Sequence, residues 1–203
     1  MTTEPYCLNH FYQTMIEGMQ EIIGMPDLET VKSVLSGQRL DASTSAEEKI
    51  PFNPFASWMA ALEQVFGQRS GQGIALQSGR VSFLYLSRLP AIKNAFSNLE
   101  KQLLPAQARI KGGLEILAET MAGECGVQVQ VTEDSQNWYW QIAPCPWCLN
   151  RAEHTTACHF MIGLLQEYTS WMGGGRYYDV AEVECHAAGT EACMIQIGKQ
   201  SMD

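Results

Sequence analysis

The chain has 203 residues, 46% of them hydrophobic and 17% charged, with a formal net charge of −9. That length and apolar content support one core-bearing domain, or one domain with a helical extension. Residues 112–203 hold twelve acidic side chains against three basic ones, Arg151, Arg176 and Lys199, so the net charge sits entirely in this part and nucleic acid is excluded as a partner.

No run of about 18 apolar residues occurs, so no transmembrane segment is expected. The polar N-terminus, MTTEPYCLNH, lacks the basic start and apolar stretch of a secretory signal. With an odd count of seven cysteines, this points to a cytoplasmic protein with reduced thiols. Cys7 and Cys125 read as ordinary buried small residues.

In chain order, residues 6–24 predict a helix, with Phe11, Met15, Met19 and Ile22 or Ile23 at three-to-four spacing. Gly24 and Pro26 end it. Residues 26–37 predict a second, short helix, and residues 38–53 a polar loop. A helix follows from residue 54, with Phe55, Met59, Leu62 and Phe66 on one side. Residues 73–89 fit either one helix through Gly79 or a strand after it; the helical surroundings favour the helix. Two more helices cover residues 91–105 and 108–126. The period then changes to two. Val127, Val129 and Val131 alternate, then Trp138, Trp140 and Ile142, which predicts a hairpin. A helix over 153–172 and a second hairpin across Ala188–Thr190 complete the chain. The order predicts an α+β fold, with a helical N-terminal part packed on a small antiparallel sheet of two hairpins and an intervening helix. Parallel βαβ alternation and a phosphate-binding glycine loop are both missing.

Five cysteines crowd the last 59 residues: Cys145, Cys148, Cys158, Cys185 and Cys193. Cys-Pro-Trp-Cys has the spacing of a redox dithiol, but no proline after Pro146 is available to face it in the thioredoxin manner. Metal is the stronger reading, since zinc takes four ligands, commonly thiolates with imidazole or carboxylate. Cys185 and Cys193 flank a short turn, where opposing strands bring their sulfurs together. Glu182 lies three residues before Cys185, so a bulge or a strand end is needed to put both on one face. Cys158, Glu182, Cys185 and Cys193 form one closed set. Cys145 and Cys148 with Cys185 and Cys193 form another, and His154, one helical turn before Cys158, offers a third option. Any set fills four positions, which suits a structural metal. His159 and His186 read as structural or exposed. Cys145 or Cys148 could instead carry a ligand through a thioether bond, and cysteine also packs simply as a small buried residue.

The C-terminal part resembles the 4-vinyl reductase domain family. The resemblance is carried by CPWC, by ACHFMIGLLQEYTSWMGGG, and by DVAEVECHAAGTEACMIQIG, with a glutamate three before a cysteine and a second cysteine eight on. It covers residues 135–198 well, extends to about residue 55, and fades over the first 50. It implies a helical extension and polar loop over 1–50 and a ligand-binding domain over 51–203, with the TRAPP-like α+β fold. It also implies a small-molecule pocket between helices and sheet, a homodimer, and zinc on Cys158, Glu182, Cys185 and Cys193. Stand-alone members similar to this chain are linked to photosystem II assembly and to bilin or chlorophyll-type tetrapyrroles.

A tetrapyrrole needs a large, partly aromatic cavity with a few polar anchors. Trp138, Trp140, Trp147, Phe160, Tyr168, Trp171 and Tyr177 are candidate walls, and Arg151 and Arg176 candidate partners for propionates. Aromatic residues at helical or strand period are also what a core requires. The leading expectation is a non-catalytic protein that binds a small hydrophobic pigment and assists photosystem assembly, cytoplasmic or peripheral to the photosynthetic membrane. A reductase of a pigment vinyl group and a protein-binding scaffold of the tethering type are the alternatives. The reductase lacks a nucleotide, flavin or iron–sulfur fingerprint.

Overall fold

A computed structural model describes residues 6–35, 45–100, 103–149, 151 and 157–203. The predicted α+β class is the observed one. Among the described residues, six α-helices pack with a two-stranded ribbon and a four-stranded antiparallel sheet of order β3-β4-β6-β5.

Residues Tyr6–Leu8, expected to open the first helix, instead form β1, which pairs antiparallel with β2, Lys49–Pro51. Local apolar spacing could not reveal this, because the partner strand lies far along the chain. Helix α1 spans Asn9–Val34 with a break at Gly24, whose φ is 75° and ψ 166°. A left-handed φ suits glycine, and Pro26 restarts the helix just beyond, where its missing N–H costs nothing. Helices α2 (Asn53–Phe66), α3 (Gln68–Leu86), α4 (Pro90–Glu100) and α5 (Ala106–Cys125) follow. Helix α3 runs unbroken through Gly79, as its surroundings suggested.

Strands β3 (Gln128–Glu133) and β4 (Asn137–Ala143) make the first hairpin, with Trp138, Trp140 and Ile142 all buried on one face of β4. Helix α6, His159–Met172, buries most of its surface. A helix apolar on nearly all sides must lie inside, and α6 packs against α3, α5 and β5. Strands β5 (Tyr178–Glu184) and β6 (Cys193–Ser201) form the second hairpin, and β6 pairs with β4 at the sheet centre.

The α3–α6 crossing depends on two glycines. A Cβ at Gly79 would stand 1.9 Å from the carbonyl oxygen of Phe160, and one at Gly163 would stand 1.9 Å from that of Leu76. The backbones therefore meet with no side chain between them. On the far side, α1 packs along α3, where Ser82 Oγ donates to the Thr14 carbonyl at 3.0 Å.

The reduced-thiol expectation for Cys7 and Cys125 is corrected. They form a disulfide that ties β1 to the last residue of α5 across a sequence separation of 118. Only the fold brings them together. A loop that long makes a crosslink worth about 3–5 kcal/mol, mainly by constraining the unfolded chain. The double variant Cys7→Ser, Cys125→Ser should lose about that much in urea unfolding. An unchanged midpoint would show that the bond contributes nothing.

Candidate metal centre and ligand cleft

Three segments meet at one buried point. The turn after β4 carries Cys145, Trp147 and Cys148, all buried. Trp147 anchors it by stacking on Phe160, with ring centroids 5.6 Å apart and planes 15° apart, while the Phe55 ring meets it edge-on. Cys158 caps the N-terminus of α6. The second hairpin brings Glu182 and Cys185 from one side of its turn and Cys193 from the other. The strand register shifts between Glu182 and Glu184, which is the bulge needed to aim Glu182 at the cysteines.

The sulfurs crowd closely. Cys145 and Cys158 stand 3.2 Å apart, Cys148 and Cys193 3.3 Å, Cys158 and Cys193 3.4 Å, and Cys193 and Cys185 4.0 Å. None of these is a disulfide, which needs about 2.05 Å. Two sets have all their donor atoms within 4.8 Å of one another: Cys145, Cys148, Cys158 and Cys193, and Cys158, Glu182, Cys185 and Cys193. The second is the set drawn from the sequence. The first differs from the sequence-drawn rival by holding Cys158 in place of Cys185.

Outer contacts fit a thiolate centre. The His186 backbone N–H donates to Cys193 Sγ at 3.3 Å. Glu182 Oε2 accepts from the backbone N–H of Ala157 and of Cys158, each at 3.0 Å, so the carboxylate sits at the positive end of α6. Its other oxygen, Oε1, is buried with no hydrogen-bond partner among the described residues. Hydrogen bonding from its neighbours, Cys145 first, pushes the Cys148 thiol down, whereas burial pushes Cys145 up. Buried thiols and a half-satisfied carboxylate in contact are what a soft divalent cation resolves.

Of the proposed pigment residues, Trp147 and Phe160 stack on each other, and the others are spread between core and surface. Trp138, Trp140, Trp147, Phe160 and Tyr168 are fully buried in the packed core. Tyr168 gives its hydroxyl proton to the Ile110 carbonyl. Arg151 donates to both carboxylate oxygens of Glu63 at 2.9 Å. Arg176 and Tyr177 are exposed on the turn before β5. His154 lies outside the described residues, His159 opens α6, and His186 Nδ1 is 2.8 Å from the Thr190 carbonyl.

A cleft of about 390 Å³ lies elsewhere, between α1, the α3–α4 junction and α5. Phe11, Leu86, Leu89 and Ile92 give it apolar walls, and His10, Thr120 and Glu124 polar edges. His10 Nδ1 is 3.2 Å from the Ala46 carbonyl. Its Nε2 is 2.9 Å from Glu124 Oε2, off the hydrogen-bond direction. Sequence reasoning missed His10 and Glu124: they sit 114 positions apart with no motif around either.

No protein-family model and no curated protein sequence matches the chain. Solved structures do. An H-NOX protein from S. oneidensis in the Fe(II)NO ligation state is similar with a TM-score of 0.62 and 10% identity, over 97% of this chain and 99% of that one. An oxygen-binding H-NOX domain related to soluble guanylate cyclases, as its oxygen complex, gives a TM-score of 0.55 and 14% identity, over 95% and 93%. A structure concerned with modulating heme redox potential through porphyrin distortion gives 0.53 and 17%, over 91% and 96%.

The fold is therefore of the H-NOX kind, which corrects the resemblance to the 4-vinyl reductase family and its TRAPP-like architecture. The expectations built on that resemblance fall with it: bilin or chlorophyll handling in photosystem II assembly, vinyl reduction, and a tethering scaffold. The physical reason is that a glutamate and two cysteines on a hairpin specify a local ligand set, which does not identify the whole fold. Among the described residues, no helix is long and apolar enough to cross a membrane.

Proposed function

We propose that the chain is a sensory domain that takes a tetrapyrrole of the heme class in the α1–α5 cleft and is stabilised by a zinc–thiolate centre. One observation carries the ligand assignment: within an H-NOX-like fold, an apolar cleft presents a histidine steadied by a backbone carbonyl. A histidine that ligates a metal usually gives its other ring N–H to such an acceptor. The Ala46 contact turns Nε2 toward the cleft, where Glu124, now 2.9 Å from it, would have to give way to a metal, and Phe11, Leu86, Leu89 and Ile92 supply apolar walls. The residues fit heme in kind, and the volume lies within the range of small-molecule sites. When bound, heme would supply reversible capture of a diatomic gas, the class of ligand named for the nitric oxide and oxygen complexes of the neighbours. The protein's part is to hold the group, exclude water with its apolar walls, and set the ring orientation through Ala46.

Hemin titrated into the purified chain should give a saturable Soret band at one equivalent. His10→Ala should weaken binding by about tenfold or more. Equal affinity in the variant would remove His10 from the site, and no saturable band would end the heme assignment.

Zinc is the metal favoured at the cysteine cluster. Thiolate-rich, four-donor sets suit it, and every donor here is buried, as in a structural centre.

A further inference from the structure

The two donor sets are not rivals. They share Cys158 and Cys193, the pair 3.4 Å apart at the middle of the cluster. We propose that the centre is binuclear. One ion is held by Cys145 and Cys148, the other by Glu182 and Cys185, and Cys158 and Cys193 bridge the two as shared thiolates. This inference rests on the metal reading of the cluster and goes beyond it in stoichiometry and in the role of each cysteine.

A single ion leaves the other half of the cluster unexplained. Placed among the four cysteines, it leaves Glu182 ionised or protonated beside Cys185, with Oε1 buried and without a partner among the described residues. A carboxylate that is 8% exposed needs a cation or a donor there. Placed in the other set, it leaves Cys145 and Cys148 as spectators, yet their sulfurs press to 3.2 and 3.3 Å against the sulfurs of Cys158 and Cys193. Two ions use all six donors.

Four sulfurs bound at about 2.3 Å to one tetrahedral zinc lie about 3.8 Å apart. The bridging pair, at 3.4 Å, and the terminal-to-bridge pairs, at 3.2 and 3.3 Å, are all tighter than that, so the assignment rests on the six donors and not on the sulfur spacing. With bridges 3.4 Å apart and bonds of about 2.3 Å, the ions would sit about 3.1 Å from each other. Five thiolates and one carboxylate balance two divalent cations to a net −2. The backbone N–H of His186 on Cys193, and those of Ala157 and Cys158 on Glu182, face that residual charge.

Metal content of the full chain purified without chelator, and Co²⁺ titration of the apo-protein under argon, test this directly. Two ions per chain are expected, with thiolate-to-cobalt absorption saturating at two equivalents. The high-spin cobalt resonance should grow to one equivalent and then fall as the second ion couples to it through the bridges. Cys145→Ser and Glu182→Gln should each bind one ion fewer, whereas Cys158→Ser should lose both. The wild-type titration stands even if a variant fails to fold. Saturation at one equivalent overturns the binuclear assignment but leaves the metal centre intact. No bound metal overturns both. Iron with inorganic sulfide in the purified protein would replace bridging thiolates by bridging sulfide and also overturn it.

Discussion

Cys193→Ser should strip the metal centre and lower the melting temperature by about 10–15 °C. Cys193 belongs to both donor sets and lies on the central strand β6, opposite Ile142. Metal bound at 1,000 times its dissociation constant contributes about 4 kcal/mol to the folded state. For a domain of this size each kcal/mol is worth about 2–4 °C. The centre joins the turn after β4, the start of α6 and the second hairpin, so its loss should loosen all three together. The wild-type protein with excess chelator should melt at the temperature of the variant, because both lack the same metal centre. A variant that keeps its metal, or melts with the untreated wild type, would contradict the assignment.

The second large effect is expected at the α3–α6 crossing. Gly163→Ala places a methyl group 1.9 Å from the Leu76 carbonyl oxygen, and Gly79→Ala does the same against Phe160. Both obstacles are backbone, which cannot rotate away as a side chain can. The helices must separate, and Phe160 moves with them. Overpacking typically costs about 1–3 kcal/mol and can cost more; the backbone contact puts these at about 3 kcal/mol each, or roughly 6–12 °C. Because one separation accommodates both methyl groups, the double variant should lose clearly less than the sum of the singles. Strict additivity in a thermal denaturation cycle would show that the two glycines act independently. Phe160 also stacks on Trp147 beside Cys145 and Cys148, so either variant should weaken metal retention as well.

The local signals in the sequence proved dependable where their causes are local. Gly24 and Pro26 mark a real break, because Gly24 leaves the helical conformation and Pro26, without an N–H, suits the first turn of the segment that resumes. Alternation placed Trp138, Trp140 and Ile142 on one buried face. Glu182 required a bulge or a strand end, and the register shifts there. The wide apolar stripe of α6 marked it as an interior helix. By contrast, β1 was hidden inside a helical pattern, since three residues take their conformation from Lys49–Pro51 rather than from their neighbours. The aromatic residues proposed for a pigment serve mainly as packing, because the same apolar period serves a core and a pocket wall.

The sequence by itself determined the α+β class and the order of most elements, and it offered Cys158, Glu182, Cys185 and Cys193 as one of several candidate donor sets, since residue type and short-range spacing carry that much information. Only the tertiary structure decided that Cys145 and Cys148 join the same cluster, that Cys7 bonds Cys125, and that His10 and Glu124 edge one cleft. It also decided that the chain is built like an H-NOX domain. These are contacts between residues distant in the chain, made where β1 and α1 meet α5 and where α6 packs against α3 and β5. No local period encodes such a meeting, because it follows from how whole helices and strands exclude water together.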